Sequence, residues 1–228
     1  MKKNLAIIIF LSLSLHSVGQ VARVQNKPGY DYKWIHFGFM VGLNTMDFSF
    51  DRPAGSGLDT LYFADISKPS PGFQVSIVSD LRMGDRLSLR FLPGITFGSR
   101  EFSFYDEDGL AKTLNVESNF LDFPLLVKYK SWRVNNYRPY LIGGVDVRYD
   151  MAARKAYESG AAFVRLKPLD FYLEFGFGID FFLQYFKFSP ELKVSAGFRD
   201  VKVHEQDRYG NSIKRLNSYV VMLCFYFE

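Results

Sequence analysis

Few residues of this sequence have types and spacings that could do chemistry on a substrate. The chain contains three histidines and one cysteine. It has no glycine-rich phosphate loop, no Gly-x-Ser-x-Gly elbow and no histidine pair at metal-ligand spacing. His204, Glu205 and Ser212 could supply the base, acid and nucleophile of a lipid hydrolase. A solvated loop histidine is the commoner role, so the sequence predicts no enzyme and no catalytic, metal or cofactor site.

A set of charged residues carries a different pattern, because they fall at alternate positions within otherwise apolar segments. Alternation with a period of two places side chains on opposite faces of a β-strand. A charged face that is removed from water requires its acids and bases to pair. We therefore predict a structural polar network in the interior of a barrel, formed by Arg90, Asp122, Lys128, Asp146, Arg148, Asp170, Glu174, Asp180, Glu191 and Lys193.

Eight alternating segments would position these residues. The chain has 228 residues, of which 48% are hydrophobic and 18% aromatic, and this composition excludes wholesale disorder and favours strands. The single cysteine, Cys224, excludes an intramolecular disulfide and cysteine-type metal sites, and we expect it to be buried. The alternating segments lie at 35–44, 72–81, 87–97, 121–129, 140–149, 169–181, 188–198 and 219–227.

The connections between these segments alternate in length. Long polar connections are predicted at 44–71, 99–118, 150–167 and 199–217, and short ones at 82–86, 130–137 and 182–187. A soluble eight-stranded barrel is the alternative, but its outer face would be apolar and in contact with water. The pattern instead predicts an all-β protein, an eight-stranded antiparallel transmembrane β-barrel with short periplasmic turns and longer extracellular loops.

Aromatic residues give further expectations. Tyr129, Phe181, Phe188 and Phe227 would form one interfacial girdle, and Tyr149, Phe198 and Tyr219 the other. A possible contact patch in the first two long connections comprises Tyr62, Phe63, Phe102, Phe104 and Tyr105. Pro93, Pro124 and Pro190 fall inside predicted strands, where bulges or displaced strand ends are expected.

The organisation along the chain has three parts. Residues 1–19 resemble a signal peptide, with two lysines, an apolar stretch and small residues before Gln20. Removing them lowers the formal charge from +4 to 4 − 2 = +2, which gives no reason to expect nucleic-acid binding. Residues 20–33 lack alternation and are expected to hang in the periplasm as a docking segment, and residues 34–228 would form the outer-membrane barrel. Both termini would be periplasmic.

Three ordered blocks resemble the PorT family of the Bacteroidota type IX secretion system. They begin at Tyr30-Asp31-Tyr32-Lys33, at Leu121-Asp122-Phe123-Pro124 and at Lys167-Pro168-Leu169-Asp170. They extend to Phe48, Gly144 and Glu191, and together they span most of the mature chain. The resemblance implies an outer-membrane protein required for type IX secretion, and often for gliding or surface-enzyme export.

The leading hypothesis is a non-enzymatic accessory that anchors or docks other secretion components. Eight strands leave an interior just wide enough for side chains, so the barrel would not be the cargo pore. Expected partners are outer-membrane lipid and other type IX components, with no nucleic acid and no small-molecule substrate. The alternatives are a general structural or adhesive barrel that binds through its extracellular loops, and a lipid-modifying enzyme.

Overall fold

The computed structural model describes residues 24–51, 63–66, 70–106, 109–152, 167–198 and 215–228. The predicted signal peptide, Tyr62, His204, Glu205 and Ser212 lie outside the described residues. Within those ranges no helix has the length and apolar character needed to cross a membrane. The elements are a 3₁₀ turn at Tyr30–Tyr32 and the strands β1 (Ile35–Asp51), β2 (Phe63–Ile66), β3 (Ser70–Arg82), β4 (Leu87–Phe91), β5 (Gly94–Asp106), β6 (Gly109–Lys130), β7 (Tyr137–Asp150), β8 (Leu169–Phe182), β9 (Lys187–Gly197) and β10 (Arg215–Phe227).

The strands close into one antiparallel barrel. β1 pairs with β10 on one side and with β3 on the other, and β10 continues through β9, β8, β7 and β6. β4 and β5 lie end to end between β3 and β6 and together form one wall position, so the wall has eight strands. The predicted eight-stranded antiparallel barrel is confirmed. β2 is an additional short strand that pairs with β5 alone.

The two faces of the wall have opposite chemistry, because alternate residues point inward and outward. On β8, Glu174 and Asp180 are 1% exposed, whereas their outward neighbours Phe175 and Phe177 are 64% and 58% exposed. The same alternation runs along β7, β9 and β10. A charged interior and an apolar exterior are the reverse of the arrangement expected for a barrel in water.

The two ends of the barrel differ. The turn end carries the short connections 83–86, 131–136 and 183–186, which match the predicted short turns. The opposite end, the loop end, carries the other connections. The prediction of a long loop at 99–118 is wrong, because β5 continues to Asp106 and β6 begins at Gly109, with the two strands paired. The polar composition of this segment predicts a loop, and its two apolar alternations, at Phe102 and Phe104 and at Leu114 and Val116, are short.

The predicted contact patch is partly within the described residues. β2 pairs with the far end of β5, which places Phe63 opposite Tyr105, and Ala64 opposite Phe104, in the backbone register. Phe102 faces Ile66 in the same ladder. The two connections that contain the patch are therefore joined by strand pairing beyond the barrel wall.

The three prolines within predicted strands have different effects. Pro93 separates β4 from β5, and its carbonyl oxygen accepts the Ile77 N–H at 2.9 Å. Pro124 and Pro190 remain inside β6 and β9, where their partners in the register are Asp146 and Phe225. One of the three expected irregularities therefore divides a strand, and two are accommodated within continuous strands.

The segment before β1 is packed against the barrel. Residues Val24–Lys33, which we call the strap, cross the turn end and contact the β6–β7 turn, Phe182 and Glu228. The expectation of a periplasmic segment at residues 20–33 does not include this packing against the barrel. Side-chain hydrogen bonds to residues more than 100 positions away hold the strap in place, and such contacts have no local signature in sequence.

Candidate functional site

All ten charged residues predicted for the interior point into the barrel and are at most 3% exposed. Nine of them form two clusters at different heights, which we call the loop-side cluster and the turn-side cluster. Asp170 lies at the loop end, opposite Arg148 in the backbone register, and its Oδ1 accepts the Phe171 N–H at 2.8 Å. The loop-side cluster contains Asp122, Asp146, Arg148, Glu174 and Lys193, and the turn-side cluster contains Arg90, Lys128, Asp180 and Glu191.

Arg148 is the centre of the loop-side cluster. Its guanidinium lies 2.6 Å from the Asp146 carboxylate, 2.8 Å from Glu174 and 3.4 Å from Asp122. Lys193 Nζ lies 2.9 Å from the other oxygen of Glu174. Three carboxylates thus share two cations, and every charged group in the cluster lies within 4 Å of an opposite charge.

Neutral donors satisfy the remaining carboxylate oxygens of the loop-side cluster. Asp122 accepts hydrogen bonds from the Gln74 amide at 3.1 Å and from the Thr96 hydroxyl. Asp146 accepts the Phe123 N–H at 3.1 Å, and Ser195 donates to Glu174 at 2.6 Å. Charges buried in this way require such partners, because an unpaired ion in a dry interior is costly.

Arg90 connects three carboxylates of the turn-side cluster. It donates twice to Asp80, at 2.9 and 3.1 Å, and once to Glu228 at 3.1 Å. Its third guanidinium nitrogen is 3.8 Å from Glu191. Lys187 pairs with Glu228 at 2.8 Å and so joins Arg90 at the same carboxylate.

A second ion pair of the turn-side cluster links β6 to β8. Lys128 donates to both oxygens of Asp180, at 2.7 and 2.9 Å, and lies over the Tyr140 ring. Tyr140 and Tyr226 each donate to Glu191 at 2.8 Å. Gly178 makes room for Tyr140, because a Cβ at position 178 would lie 2.5 Å from the tyrosine ring.

An apolar layer separates the two clusters. Leu92 lies between Arg90 and Thr96 along the chain, and Leu126 between Lys128 and Asp122. Cys224, buried as expected, belongs to the same inner face. Side chains lining an open pore would be exposed to water, yet the inward residues of both clusters and of this layer are at most 4% exposed. The described part of the lumen is therefore filled by side chains.

The strap extends the turn-side cluster. Tyr30 donates its hydroxyl proton to Glu228 at 2.8 Å, and its ring stacks on His36 at 3.9 Å. Asp31 accepts hydrogen bonds from Arg138 and from Arg133. Asn26 donates its backbone N–H to Asn136 Oδ1 at 2.8 Å and its side-chain amide to the Phe182 carbonyl at 2.9 Å. The strap thus covers the turn end by specific polar contacts.

Two pKa values in the strap reflect these contacts. Partial burial opposes ionisation of Asp31, but the guanidinium groups of Arg138 and Arg133 outweigh it and hold the pKa below its usual range. Burial, followed by the neighbouring Glu228 carboxylate, raises the pKa of Tyr30 well above that of a free tyrosine. At neutral pH both groups are therefore in the form that the contacts require.

Four more residues complete the turn-side cluster: Asp80, which the alternation already placed on the polar face, and Lys187, Glu228 and Tyr30, which the prediction missed. Lys187 and Glu228 continue the inward alternation of β9 and β10 by one step, so extending the alternation would have found them. Asp80 is an inward residue of β3 and had the same signal. Tyr30 lies in the strap, where no periodicity indicates which side chains turn inward.

The arrangement offers no catalytic constellation within the described residues. No group of three or more His, Cys, Asp or Glu side chains in that part of the chain is placed to hold a metal ion. His36 is committed to the strap, since its Nε2 lies 2.8 Å from the Tyr30 carbonyl oxygen. The chemistry of the two clusters is ion pairing, which stabilises the interior.

The chain belongs to a family of outer-membrane proteins. A family model described as "Outer membrane protein beta-barrel domain" matches residues 23–203, which is most of the sequence. This membership places the protein in the outer membrane as a β-barrel. Proteins of this family are typically non-enzymatic. A comparison with curated proteins found no significant match.

Solved outer-membrane barrels resemble the fold at low sequence identity. Neisserial surface protein A is 12% identical, with a TM-score of 0.45, covering 85% of this chain and 98% of its own. OprG from Pseudomonas aeruginosa is 15% identical, with a TM-score of 0.47 and coverages of 84% and 91%. Ail, the attachment invasion locus protein of Yersinia pestis, is 12% identical, with a TM-score of 0.36 and coverages of 84% and 97%.

Proposed function

We propose that this protein is a non-enzymatic, non-conducting outer-membrane barrel that anchors or docks other components of a type IX secretion system. The observation that carries the non-conducting part is the filled lumen, in which two clusters of ion pairs and an apolar layer occupy the cross-section. The secretion role is supported by the three blocks of sequence that resemble the PorT family. A barrel of eight strands provides a rigid membrane anchor, and its ends are the surfaces that can meet other proteins.

Conductance of the purified protein tests the first part of this proposal. Reconstitution in planar bilayers should give no stable channels, because no continuous water path crosses the described lumen. A barrel of about 16 strands is the size that forms a water-filled porin, and such a porin serves as the positive control. Reproducible channels of nanosiemens size from the wild-type protein would refute the proposal.

Export of cargo tests the secretion role. Deleting the whole protein should abolish secretion of proteins that carry the type IX C-terminal signal, and the wild-type gene should restore it. Normal export combined with altered adhesion would instead favour the structural or adhesive alternative. Analysis of outer-membrane lipids after His204→Ala addresses the enzymatic alternative, which requires a change in lipid composition.

The proposed orientation has both chain termini and the turn end in the periplasm. Single cysteines at Asp59, Asp108, Ser159 and Asn211, in a Cys224→Ser background, should react with an impermeant reagent on intact cells. A cysteine at Asn135, in a short turn, should not react until the outer membrane is opened. The reverse labelling pattern would invert the barrel.

The strap is the part that we propose as the docking element for periplasmic partners. Its described residues cover the turn end, and it includes the exposed aromatic side chain of Tyr32. Removing residues 21–30 while keeping residues 1–20 should leave a heat-modifiable barrel but weaken secretion. An equal deletion of residues 153–162, in a connection at the loop end, is the matched control. Unchanged secretion without residues 21–30 would exclude the docking role.

A further inference from the structure

An apolar groove of about 440 Å³ lies on the outer wall close to the turn end. Its walls are the outward side chains of Tyr129, Leu141, Phe177 and Ile179, and Ser131 and Pro139 also line it. Its position follows from the register, which places Tyr129 beside Leu141 and Leu141 beside Phe177, with Pro139 beside Ile179. Ser131 and Pro139 are smaller than the other lining residues, and they therefore leave a gap in the outer surface.

The chemistry of the groove fits a hydrocarbon chain. Leu141 and Phe177 are 61% and 58% exposed on the outer face, which in a barrel of this family meets lipid. Its volume lies within the range of roughly 300–1,000 Å³ typical of small-ligand sites. A groove of this kind on an otherwise convex wall gives an acyl chain more contacts than the neighbouring surface does.

A cation lies at the rim of the barrel across β6 from this groove, because Leu87, the residue after Arg86, pairs with Tyr129. The Arg86 guanidinium stacks on the Trp132 ring, 3.8 Å from its centroid, and no carboxylate among the described residues pairs with it. The Arg86 carbonyl accepts the Lys130 N–H at 2.7 Å, and the Ser131 N–H donates to the Pro139 carbonyl at 2.9 Å. These two hydrogen bonds connect the backbone of Arg86, through Lys130 and Ser131, to Pro139 in the wall of the groove.

Arg86 has no carboxylate partner among the described residues, Trp132 is exposed, and the groove is apolar. Together they match the charged headgroup and the acyl chain of one lipid molecule. Tryptophan prefers the headgroup level of a membrane, and an arginine at that level attracts a phosphate. Arg82, at the same end of the barrel, is already paired with Asp85 at 2.6 Å and is not available in the same way. Arg86 is therefore the cation placed to hold a lipid phosphate while the chain attached to that phosphate enters the groove.

We propose that the outer wall at the turn end, from Arg86 across β6 to β8, carries a selective site for an anionic diacyl phospholipid, with its phosphate at Arg86 and one acyl chain in the groove lined by Ser131, Pro139 and Phe177. The site depends on the outer-membrane location of the barrel and is independent of any role in secretion. It gives the barrel a fixed lipid neighbour on one side, next to the turn that also holds the strap.

Native mass spectrometry of the purified full-length barrel tests this site. After removal of bulk lipid, the protein is titrated with phosphatidylglycerol or with phosphatidylcholine of the same chains. The wild type should retain one phosphatidylglycerol under conditions that remove phosphatidylcholine. Arg86→Gln should weaken phosphatidylglycerol binding about fivefold, the effect of about 1 kcal/mol for one basic residue near a lipid surface.

The second variant changes the groove and leaves the charge unchanged. Ser131→Leu fills the groove and should reduce retention of both lipids. Ser79→Leu, a matched change at an outward position of β3, and Arg82→Gln, a matched loss of charge at the turn end, should both bind as the wild type does. Heat-modifiable migration confirms that each variant is folded.

Three results with the two phospholipids would each overturn the proposal. These are equal retention of the two lipids by the wild type, unchanged binding by Arg86→Gln, or an equal loss in Ser79→Leu and Ser131→Leu. Preferential retention of lipid A in place of phosphatidylglycerol would also overturn it, because that result would put the turn end in the leaflet that lacks phospholipid.

Discussion

The two ionic clusters of the lumen both bury an excess of carboxylates, but different neutral groups donate hydrogen bonds to those carboxylates. Counting Asp80, Lys187 and Glu228, the turn-side cluster has four carboxylates and three cations, and the loop-side cluster has three carboxylates and two cations. Each therefore holds one carboxylate more than its cations balance. The loop-side cluster satisfies its acids with the Gln74 amide, hydroxyls and a backbone N–H, all from the wall itself. The turn-side cluster uses the Ser189 hydroxyl and three tyrosine hydroxyls, and one of these tyrosines, Tyr30, belongs to the strap.

Because of this difference, the loop-side cluster depends on the barrel wall alone, whereas the turn-side cluster also depends on the position of the strap. The wall strands fix every partner in the loop-side cluster, so that cluster persists for as long as the barrel does. The turn-side cluster depends on Tyr30, which a local movement of the strap could withdraw without breaking the sheet. Water can then reach Glu228 and Arg90 from the end of the barrel. The comparison predicts that the two clusters respond unequally to equivalent substitutions.

The largest effect is expected from Arg148→Met. The substitution leaves Asp122, Asp146 and Glu174 in a dry interior with Lys193 as the one cation close by. Breaking a buried ion pair in this way costs about 3–5 kcal/mol of the free energy of unfolding. Urea unfolding in lipid vesicles, followed by tryptophan fluorescence, measures the loss.

Arg82→Met is the control for Arg148→Met, because it removes an arginine whose ion pair, with Asp85, lies at the solvent-exposed turn end. Its effect on unfolding should stay within about 0.5 kcal/mol. A loss below 1 kcal/mol for Arg148→Met would mean that the loop-side cluster reorganises or admits water, and it would remove the distinction between the two clusters.

A smaller loss is expected from Arg90→Met. Asp80 and Glu228 lose their shared partner, but they lie next to the barrel mouth and water can partly replace the guanidinium. We expect a loss of about 2–3 kcal/mol, near the value for hydrogen bonds to charged groups. Combining this substitution with removal of residues 21–30 should reduce its cost, whereas the same deletion should leave the cost of Arg148→Met unchanged. Equal coupling of both substitutions to the deletion would contradict the comparison.

The smallest effect is a pH window for docking of the strap. The pKa of Asp31 is lowered in the folded protein, so its contribution is complete above the ordinary carboxyl range and is lost as pH falls through the lowered pKa. The pKa of Tyr30 is raised, so its contribution is complete below the ordinary tyrosine range and declines as pH rises above it. Protection of Lys27 from proteolysis should therefore be greatest between these limits. Asp31→Asn should flatten the acid side alone and Tyr30→Phe the alkaline side alone, and a profile that neither variant alters would assign the window to other groups.

The barrel wall could be predicted from sequence because the membrane imposes a strict rule on it. Outward residues such as Phe175 and Phe177 must be apolar, and inward residues such as Glu174 must find partners. Each strand therefore shows an alternation of apolar and polar residues in its sequence. That rule ends where the strands leave the membrane. The hairpin of β5 and β6 beyond Ser99 keeps only two short apolar alternations, at Phe102 and Phe104 and at Leu114 and Val116, among polar residues, and its sequence therefore predicts a loop.

The site was less predictable than the wall. Alternation identified which charged residues face the lumen, but it could not say that Arg148 would collect three acids or that Arg90 would reach Glu228, since pairing depends on the closed register. The strap was missed for a stronger reason. Its docking rests on single contacts such as Asp31 with Arg138, and an isolated contact between distant residues leaves no pattern in a single sequence.

The strap also constrains the order in which the chain can reach its final form. Tyr30 binds Glu228, a residue 198 positions further along, and Asn26 binds Asn136 and Phe182. These partners reach their places after β7 and β8 have paired and after β10 has closed onto β1. Docking of the strap is therefore a terminal event of assembly, and a chain whose barrel has not yet closed has an exposed strap.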